Sequence, residues 1–532
     1  MRKYFLLFSA CFFTTIVNAQ LVINGGTITI GDNASISVQG DLTSNADILG
    51  TGKIVMSGTS AQQINMNGFS IPNLEINSTG GVALSGNSRI SNTLTFTIGK
   101  IQSSNYNLTL AAAVTVTGAG TGKFVETSGT GQLRREVNTA GSYELPVGAV
   151  NNYMPLQYQV SGGSIATGAY VGTQLVAGAH PGKPIRSTDY ISAYWKPAYS
   201  GITGATVNVT GTYVETAGVT GDETLLNGIR HDGTDWSLAN SLVNTTSNAV
   251  TYNNIATGTD LYAMNKFLLV NTKVFLQGAY NSSTGRMSDN LRQAPNLIPS
   301  SDPYRAAPYN TTFTHSNNVV AEVANASVFA NQANDDDNIV DWVFLELRNA
   351  ANALIQTRSA FLQKDGDIVE VDGLNPVYFK NLDAGNYVVT VRHRNHLGVA
   401  AEASTYAKTL SVAKPAAANI FDLRTASEAQ VYGNASAFTP STHPTLGTIN
   451  MLWSGNVNSN TSIRYTGPGN DNSYLLTTLL SGNASNILSA YSPGDINLNR
   501  AVRYTGPGND HSFLLTTVLA GNASNIIAQQ IP

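Results

Sequence analysis

Residues 20–130 carry only nine charges, Asp32, Asp41, Asp47, Lys53, Glu75, Arg89, Lys100, Lys123 and Glu126. That scarcity rules out an amphipathic helix, which needs a charged or polar face along its length. What the segment offers instead is a series of short stretches alternating apolar residues with Ser, Thr and Asn: Leu21–Asn24, Thr27–Ile30, Ser35–Val38, Lys53–Met56, Leu74–Asn77, Thr93–Thr97, Asn107–Leu110 and Ala113–Thr117. Gly and Asn separate them, as turns would. Strands this short cannot each bury a face alone, so they must stack on one another. A β-solenoid or β-helix is the simplest way to do so, although the repeat is too irregular to fix a rung length.

The rest of the chain reads as all-β until its last part. Residues 131–270 bring aromatic core material (Tyr190–Tyr194, Trp195) and further strands at Ala205–Val209, Thr251–Ile255 and Asp260–Met264, the pattern of a β-sandwich. A second sandwich is expected over 271–415. There Ile339–Leu347 is apolar on both faces and hence central, and Lys364-Asp365-Gly366-Asp367 turns a hairpin. A long polar, Pro-containing loop runs from Asn281 to about Val319. Residues 416–445, Ala-rich and then Pro-containing, read as a connector.

Residues 446–532 hold a duplication. Asn456–Asp471 recurs at Asp495–Asp510 without a gap, an offset of 39 residues, and the match continues through Gly482–Ile487 and Gly521–Ile526. Each copy reads as loop then helix, with Asp471 or Asp510 as N-cap. Leu475, Leu476, Leu479 and Leu480 follow at helical spacing, as do Leu514, Leu515, Val518 and Leu519, and Gly482 or Gly521 ends each helix. The loop is similar to an EF-hand or dockerin half-site, with oxygen side chains at alternate positions: Asp495, Asn497 and Asn499 in the second copy, Asn456, Asn458 and Asn460 in the first. Asp510 and Asp471 stand in for the closing carboxylate. Calcium is the cofactor such a set would take, weakly because carboxylates are few. The alternative is that these Asn side chains hold the turn through the backbone, without an ion. The two leucine stripes are expected to pack against each other.

Residues 1–19 have the form of a secretory signal peptide: Arg2 and Lys3, an apolar run from Tyr4 to Val17, and a Val17-Asn18-Ala19 cleavage site. Cleavage there would remove Cys11, the one cysteine, and exclude disulfides and thiol chemistry from the mature chain. Lipidation at Cys11 is the rival reading. No later stretch has the ~20 apolar residues of a membrane helix. The net charge of −4 argues against nucleic acid. No catalytic motif is present. Asp335–Asp337 reads as a solvated loop, and turn chemistry explains Asp365, Asp367 and Asp372. His393 and His396, with Arg392 and Arg394, read as a charged sheet edge, or else as a contact for an acidic partner or glycan.

Several segments resemble secreted hemagglutinin-like multidomain surface proteins of Bacteroidetes. They are Thr93–Ile101 with Asn107–Leu110, Gly131–Arg135 and Leu145–Gly148; Leu276–Tyr280 with Val340–Val343, Leu345–Arg348 and Val391–Leu397; and the Tyr465-Thr466-Gly467…Asn470-Asp471 repeat. The resemblance implies export to the cell surface, association with type IX secretion and gliding, and partners among other surface or outer-membrane proteins. The expected function is therefore that of a non-enzymatic structural or adhesive protein, with a carbohydrate-binding adhesin as the alternative.

Overall fold

The computed structural model describes residues 20–532; the expected signal peptide and Cys11 lie outside them. Strands take 43% of the residues and helical turns 10%, so the chain is all-β. It folds as two units, one ending at Asn265 and the other Lys266–Pro532. No helix among the described residues is long and apolar enough to cross a membrane.

The first unit opens as a parallel β-solenoid. One sheet stacks Leu21–Ile23, Leu42–Ser44, Gln62–Asn65, Val82–Leu84, Ile101–Gln102, Val125–Glu126 and Val147–Ala149 in parallel. A second stacks Ser35–Val38, Lys53–Met56, Ser70–Asn77, Ser88–Ile98, Leu108–Leu110 and Leu133–Glu136. A short third face pairs Ile28–Ile30 with Ile48–Gly50. Leu42 lies opposite Leu21, Ile64 opposite Leu42 and Ile101 opposite Val82, which makes these rungs 21, 22 and 19 residues long. Inward positions form apolar stacks such as Ile54, Leu74 and Leu94, all buried. Asn and Asp at the corners join one rung to the next: Asp41 Oδ1 accepts from Gln63 N, Asp47 Oδ1 from Ser70 N and Asn87 Oδ1 from Asn107 N.

The expected boundary at 130/131 falls inside a continuous sheet. Leu133–Glu136 pairs in parallel with Leu108–Leu110 on one side and antiparallel with Ser164–Ala177 on the other. From there the sheet runs on antiparallel, and a four-stranded sheet (Gly141–Leu145, Leu156–Ser161, Thr206–Thr212, Ala249–Tyr252) faces it. Buried polar bridges join the two layers: Tyr158 Oη donates to Gly172 O at 2.7 Å, Trp195 Nε1 to Met154 O at 3.1 Å and Tyr252 Oη to Tyr262 O at 2.7 Å.

In the second unit Ile339–Asn349 is central, between Leu354–Gln363 and Gly385–His393, and every residue from Ile339 to Leu347 is buried. The Asp-Gly hairpin forms as read, with Gly366 at φ +97°. The long loop after Asn281 places Tyr304, Tyr309 and Phe313 in the core, and Tyr304 Oη donates to Trp342 O at 2.9 Å. The expected connector is built into the unit: Phe421–Asp422 pairs with Thr272–Lys273 in the main sheet, and Thr439–His443 forms a hairpin with Gly447–Met451.

The duplicated segment adopts the same structure twice, but the copies interlock. Ser462–Arg464 of the first pairs with Ile526–Ala528 of the second, and Ile487–Leu488 of the first pairs with Val502–Arg503 of the second. Thr466 Oγ1 donates to Ala523 O and Thr505 Oγ1 to Ala484 O, both at 3.0 Å. The leucine stripes do not meet. Leu475 and Leu480 bury against Val502, while Leu514, Val518 and Leu519 bury against Ile463 and Ile527 in a separate cluster. Each helical turn therefore covers a strand of the other copy. It begins as one α turn, Asp471–Ser473 or Asp510–Ser512, and widens into a π turn, Tyr474–Leu479 or Phe513–Val518.

Candidate functional site

Both loops are closed by side-chain-to-backbone bonds. Asp471 is not the N-cap; Asn470 is, accepting from Ser473 N at 2.7 Å, as Asn509 does from Ser512 N. Asp471 turns inward, fully buried. Its Oδ1 accepts from Val457 N at 2.9 Å and its Oδ2 from Arg464 N at 2.8 Å. Asp510 repeats this with Ile496 N at 2.7 Å and Arg503 N at 2.8 Å. Burial outweighs these donors and pushes Asp471 up to about 7 and Asp510 up to about 8.

The remaining candidate ligands serve the same turns. Asn458 and Asn460 donate through Nδ2 to Gly469 O at 2.8 and 2.9 Å; Asn497 and Asn499 donate to Gly508 O at 2.9 and 2.8 Å. Asp495, also buried, accepts from Asn499 N and Arg500 N, both at 2.9 Å, and burial raises its carboxyl. Asn456 Nδ2 donates to Asn460 O at 2.8 Å. The loops thus bring all eight residues together in two sets of four. They spend the carboxylate oxygens on backbone N–H groups, which is the fit of a structural turn rather than of a calcium cage. Two buried amide oxygens, Asn456 Oδ1 and Asn497 Oδ1, remain without a hydrogen-bond partner.

A second polar cluster joins the sheet to the repeat pair. The residues read as a basic edge are inside: His393 is 2% exposed, Arg394 1% and His396 1%. Their acidic partner is Asp341, on the central strand. It takes His393 Nε2 and Arg394 Nε at 3.0 Å each, and Tyr491 Oη at 2.6 Å. Burial opposes ionisation, but the Arg394 charge and the His393 bond win and bring Asp341 down to about 2. Arg394 also donates to Ser492 O and stacks on the Tyr491 ring at 4.4 Å. Asn395 Nδ2 donates to Asp495 O at 2.7 Å, and Ser454 Oγ to Ile496 O at 2.6 Å. The stretch 491–496, which leads from the first copy into the second, is thereby clamped to the sheet. Arg392 points elsewhere, to Glu346 at 3.2 Å and over the Phe313 ring. The signal for Asp341 was available: a carboxylate in a strand apolar on both faces must have a partner.

A third cluster, scattered through the long loop, carries no spacing signal at all. Ligand-type atoms of Asp302, His315 and Glu322 lie within 4.8 Å of one another. Two guanidinium groups occupy the same space. Arg305 Nε is 3.1 Å from Asp302 Oδ2, and Arg358 Nη1 is 3.3 Å from Glu322 Oε1. His315 Nε2 is 2.9 Å from Asp302 Oδ2. Two carboxylates against two arginines leave no net charge for a divalent cation to neutralise, so the cluster fits an ion-pair network and not a metal.

Asp335 and Asp336 are held by Lys364 and Arg286. Asp365 and Asp372 accept from backbone N–H groups of their own turns, Asp367 N for the first and Leu374 N and Asn375 N for the second. A cavity of about 710 Å³ opens between Pro295, Ile298, Pro299 and Ser301 on one side and Phe329 on the other; Arg292 at its wall is bonded to Asp289. Its lining mixes apolar residues with the hydroxyls of Ser300 and Ser301, the Asn296 amide and Arg292, without a carboxylate or imidazole for acid–base work. Comparison with known protein families, with curated proteins and with solved structures finds no match for this chain.

Proposed function

We propose that this chain is a non-enzymatic structural or adhesive protein of the bacterial surface. It would be exported and held at the outer membrane by its partners, as a component of a gliding or type IX secretion assembly. One observation carries the reading: the polar clusters of the second unit serve structure, the Asp341, His393 and Arg394 cluster being buried and spent on holding the duplicated segment to the sheet. A partner then meets a fixed surface. Export and the surface partners follow from the resemblance of the sequence to hemagglutinin-like proteins.

The test is cross-linking in the native envelope, with the chain tagged and its fractions separated. The reading requires the chain in the outer-membrane or surface fraction, linked to a defined set of surface proteins. A cytoplasmic or freely soluble chain without such links contradicts it.

A glycan-binding adhesin is the second reading. It rests on the half-buried aromatic group where Tyr504 stacks on His511 at 4.1 Å and Tyr465 Oη meets His511 Nε2. Aromatic faces of this kind suit sugar rings. A glycan array with the mature chain separates the two: selective binding that Tyr504→Ala removes favours the adhesin, and a blank array favours protein docking.

A further inference from the structure

We propose that His396, against His393, forms an acid-sensitive latch, in which proton uptake by the His396 ring releases residues 491–494 from the 394–396 turn while the interlocked repeats keep their own fold. The hydrogen bonds fix both tautomers. Asp495 O holds the Asn395 amide so that Oδ1 faces His396, and His396 Nδ1 lies 2.8 Å from it and 3.0 Å from His393 Nδ1. Gly278 N–H donates to His396 Nε2 at 3.2 Å. His396 therefore carries its proton on Nδ1 and points it at His393 and Asn395. His393 accepts on Nδ1 and donates from Nε2 to Asp341. Gly278, His396, His393 and Asp341 form one directed chain in which each ring nitrogen already has its role.

A further proton has no place in that chain. On His396 Nε2 it meets the Gly278 N–H; on His393 Nδ1 it meets the His396 N–H. Facing the pair are Asp341 from the central strand and Arg394 from the same turn; Arg394 in turn faces Tyr491, Tyr309 from the long loop and Asp495 at the start of the second repeat, and Tyr304 faces Asp341 and Arg394. Among the described residues Asp341 is the carboxylate in contact with the pair; it touches His393 alone and is shared with Arg394. Burial first works against an imidazolium in both rings; at His393 the Asp341 bond and charge oppose it in part, whereas at His396 the His393 and Arg394 charges add to it. Acid must therefore open the clamp in order to charge it. The repeats do not share the weakness: their own buried carboxyls, Asp471 and Asp510, are already displaced toward the protonated form.

Hydrogen exchange on the whole mature chain, corrected for intrinsic rates, tests this over a pH series running from above the ordinary histidine value of about 6.5 to well below it, down to about 4. Peptides covering 394–398 and 491–494 should lose protection by about tenfold or more on acidification, while those covering 474–480 and 513–519 hold theirs. His396→Gln offers an acceptor to Gly278 N and a donor to His393 without titrating, and should remove the loss. Protection indifferent to pH, or the same loss in His396→Gln, overturns the latch. If that variant does not fold, the wild-type imidazole titrations decide. A His396 midpoint well below the ordinary range sustains the latch, and an ordinary one overturns it.

Discussion

The Tyr491 hydroxyl donates to Asp341 Oδ1 at 2.6 Å across 150 residues of chain, tying the middle of the duplicated segment to the central strand of the sheet. Around that bond the carboxylate is shared with His393 and Arg394, all nearly inaccessible to solvent. The junction is a buried ion pair with a full set of donors, the arrangement in which losing one partner costs most.

Arg394→Met should destabilise the second unit by about 3–5 kcal/mol, because it leaves Asp341 buried without its counter-charge. Tyr491→Phe, which removes one donor and keeps the ring, should cost about 1–3 kcal/mol. Urea unfolding of the two variants checks the order; equal or negligible costs would show that the junction is not held through Asp341.

The exchange of strands between copies predicts paired effects. Thr466→Val and Thr505→Val remove equivalent bonds and should each cost about 1 kcal/mol. Leu475→Ala and Leu514→Ala should each cost about 2–5 kcal/mol, since each residue is fully buried against the other copy's strand. A large effect in one copy and none in the other would break the internal symmetry.

Asp471 and Asp510 predict an unusual pH dependence. Their folded values, about 7 and about 8, lie above the unfolded value of about 3.9, so the folded state binds more protons between those limits. Their contribution is therefore complete below about pH 4 and is lost as pH rises toward 8. Asp341 runs the other way: held at about 2, it contributes above about pH 4 and loses that contribution as pH falls toward 2. Carboxyl titration by NMR should give Asp510 a midpoint several units above Asp341. Midpoints near 4 for both would contradict the burial argument.

The loop bonds also predict that millimolar calcium leaves the melting temperature unchanged, because the carboxylate oxygens already serve backbone N–H groups. A calcium-dependent rise that Asp495→Asn removes would instead assign an ion to the second copy, with Asn497 Oδ1 as the free ligand.

The solenoid was legible because alternation and turn residues survive in a charge-poor sequence. Its rung length was not, because the corner bonds from Asp41, Asp47 and Asn87 allow rungs of differing length. The duplicated helix was legible as a position but not as a type. Thr477 Oγ1 donates to Ser473 O, and Thr516 Oγ1 to Ser512 O, at 2.6 Å. These side chains compete for the carbonyls that an α-helix would use, and the turn widens so that Leu480 N reaches Leu475 O. Local periodicity reports neither that competition nor which copy supplies the covering strand. The histidine pair was read as an edge because a short polar run after a strand looks the same whether water or Asp341 receives it.

The duplicated segment and the sheet before it form one clamped body. Native-state hydrogen exchange across Lys266–Pro532 near neutral pH measures this most directly. Amides in Ser462–Arg464, Val502–Arg503 and the central strand Ile339–Asn349 should open with a common free energy, and Arg394→Met should lower the two repeat strands selectively. Repeat amides that exchange well before the central strand in the wild-type chain, and do not respond to Arg394→Met, would contradict it.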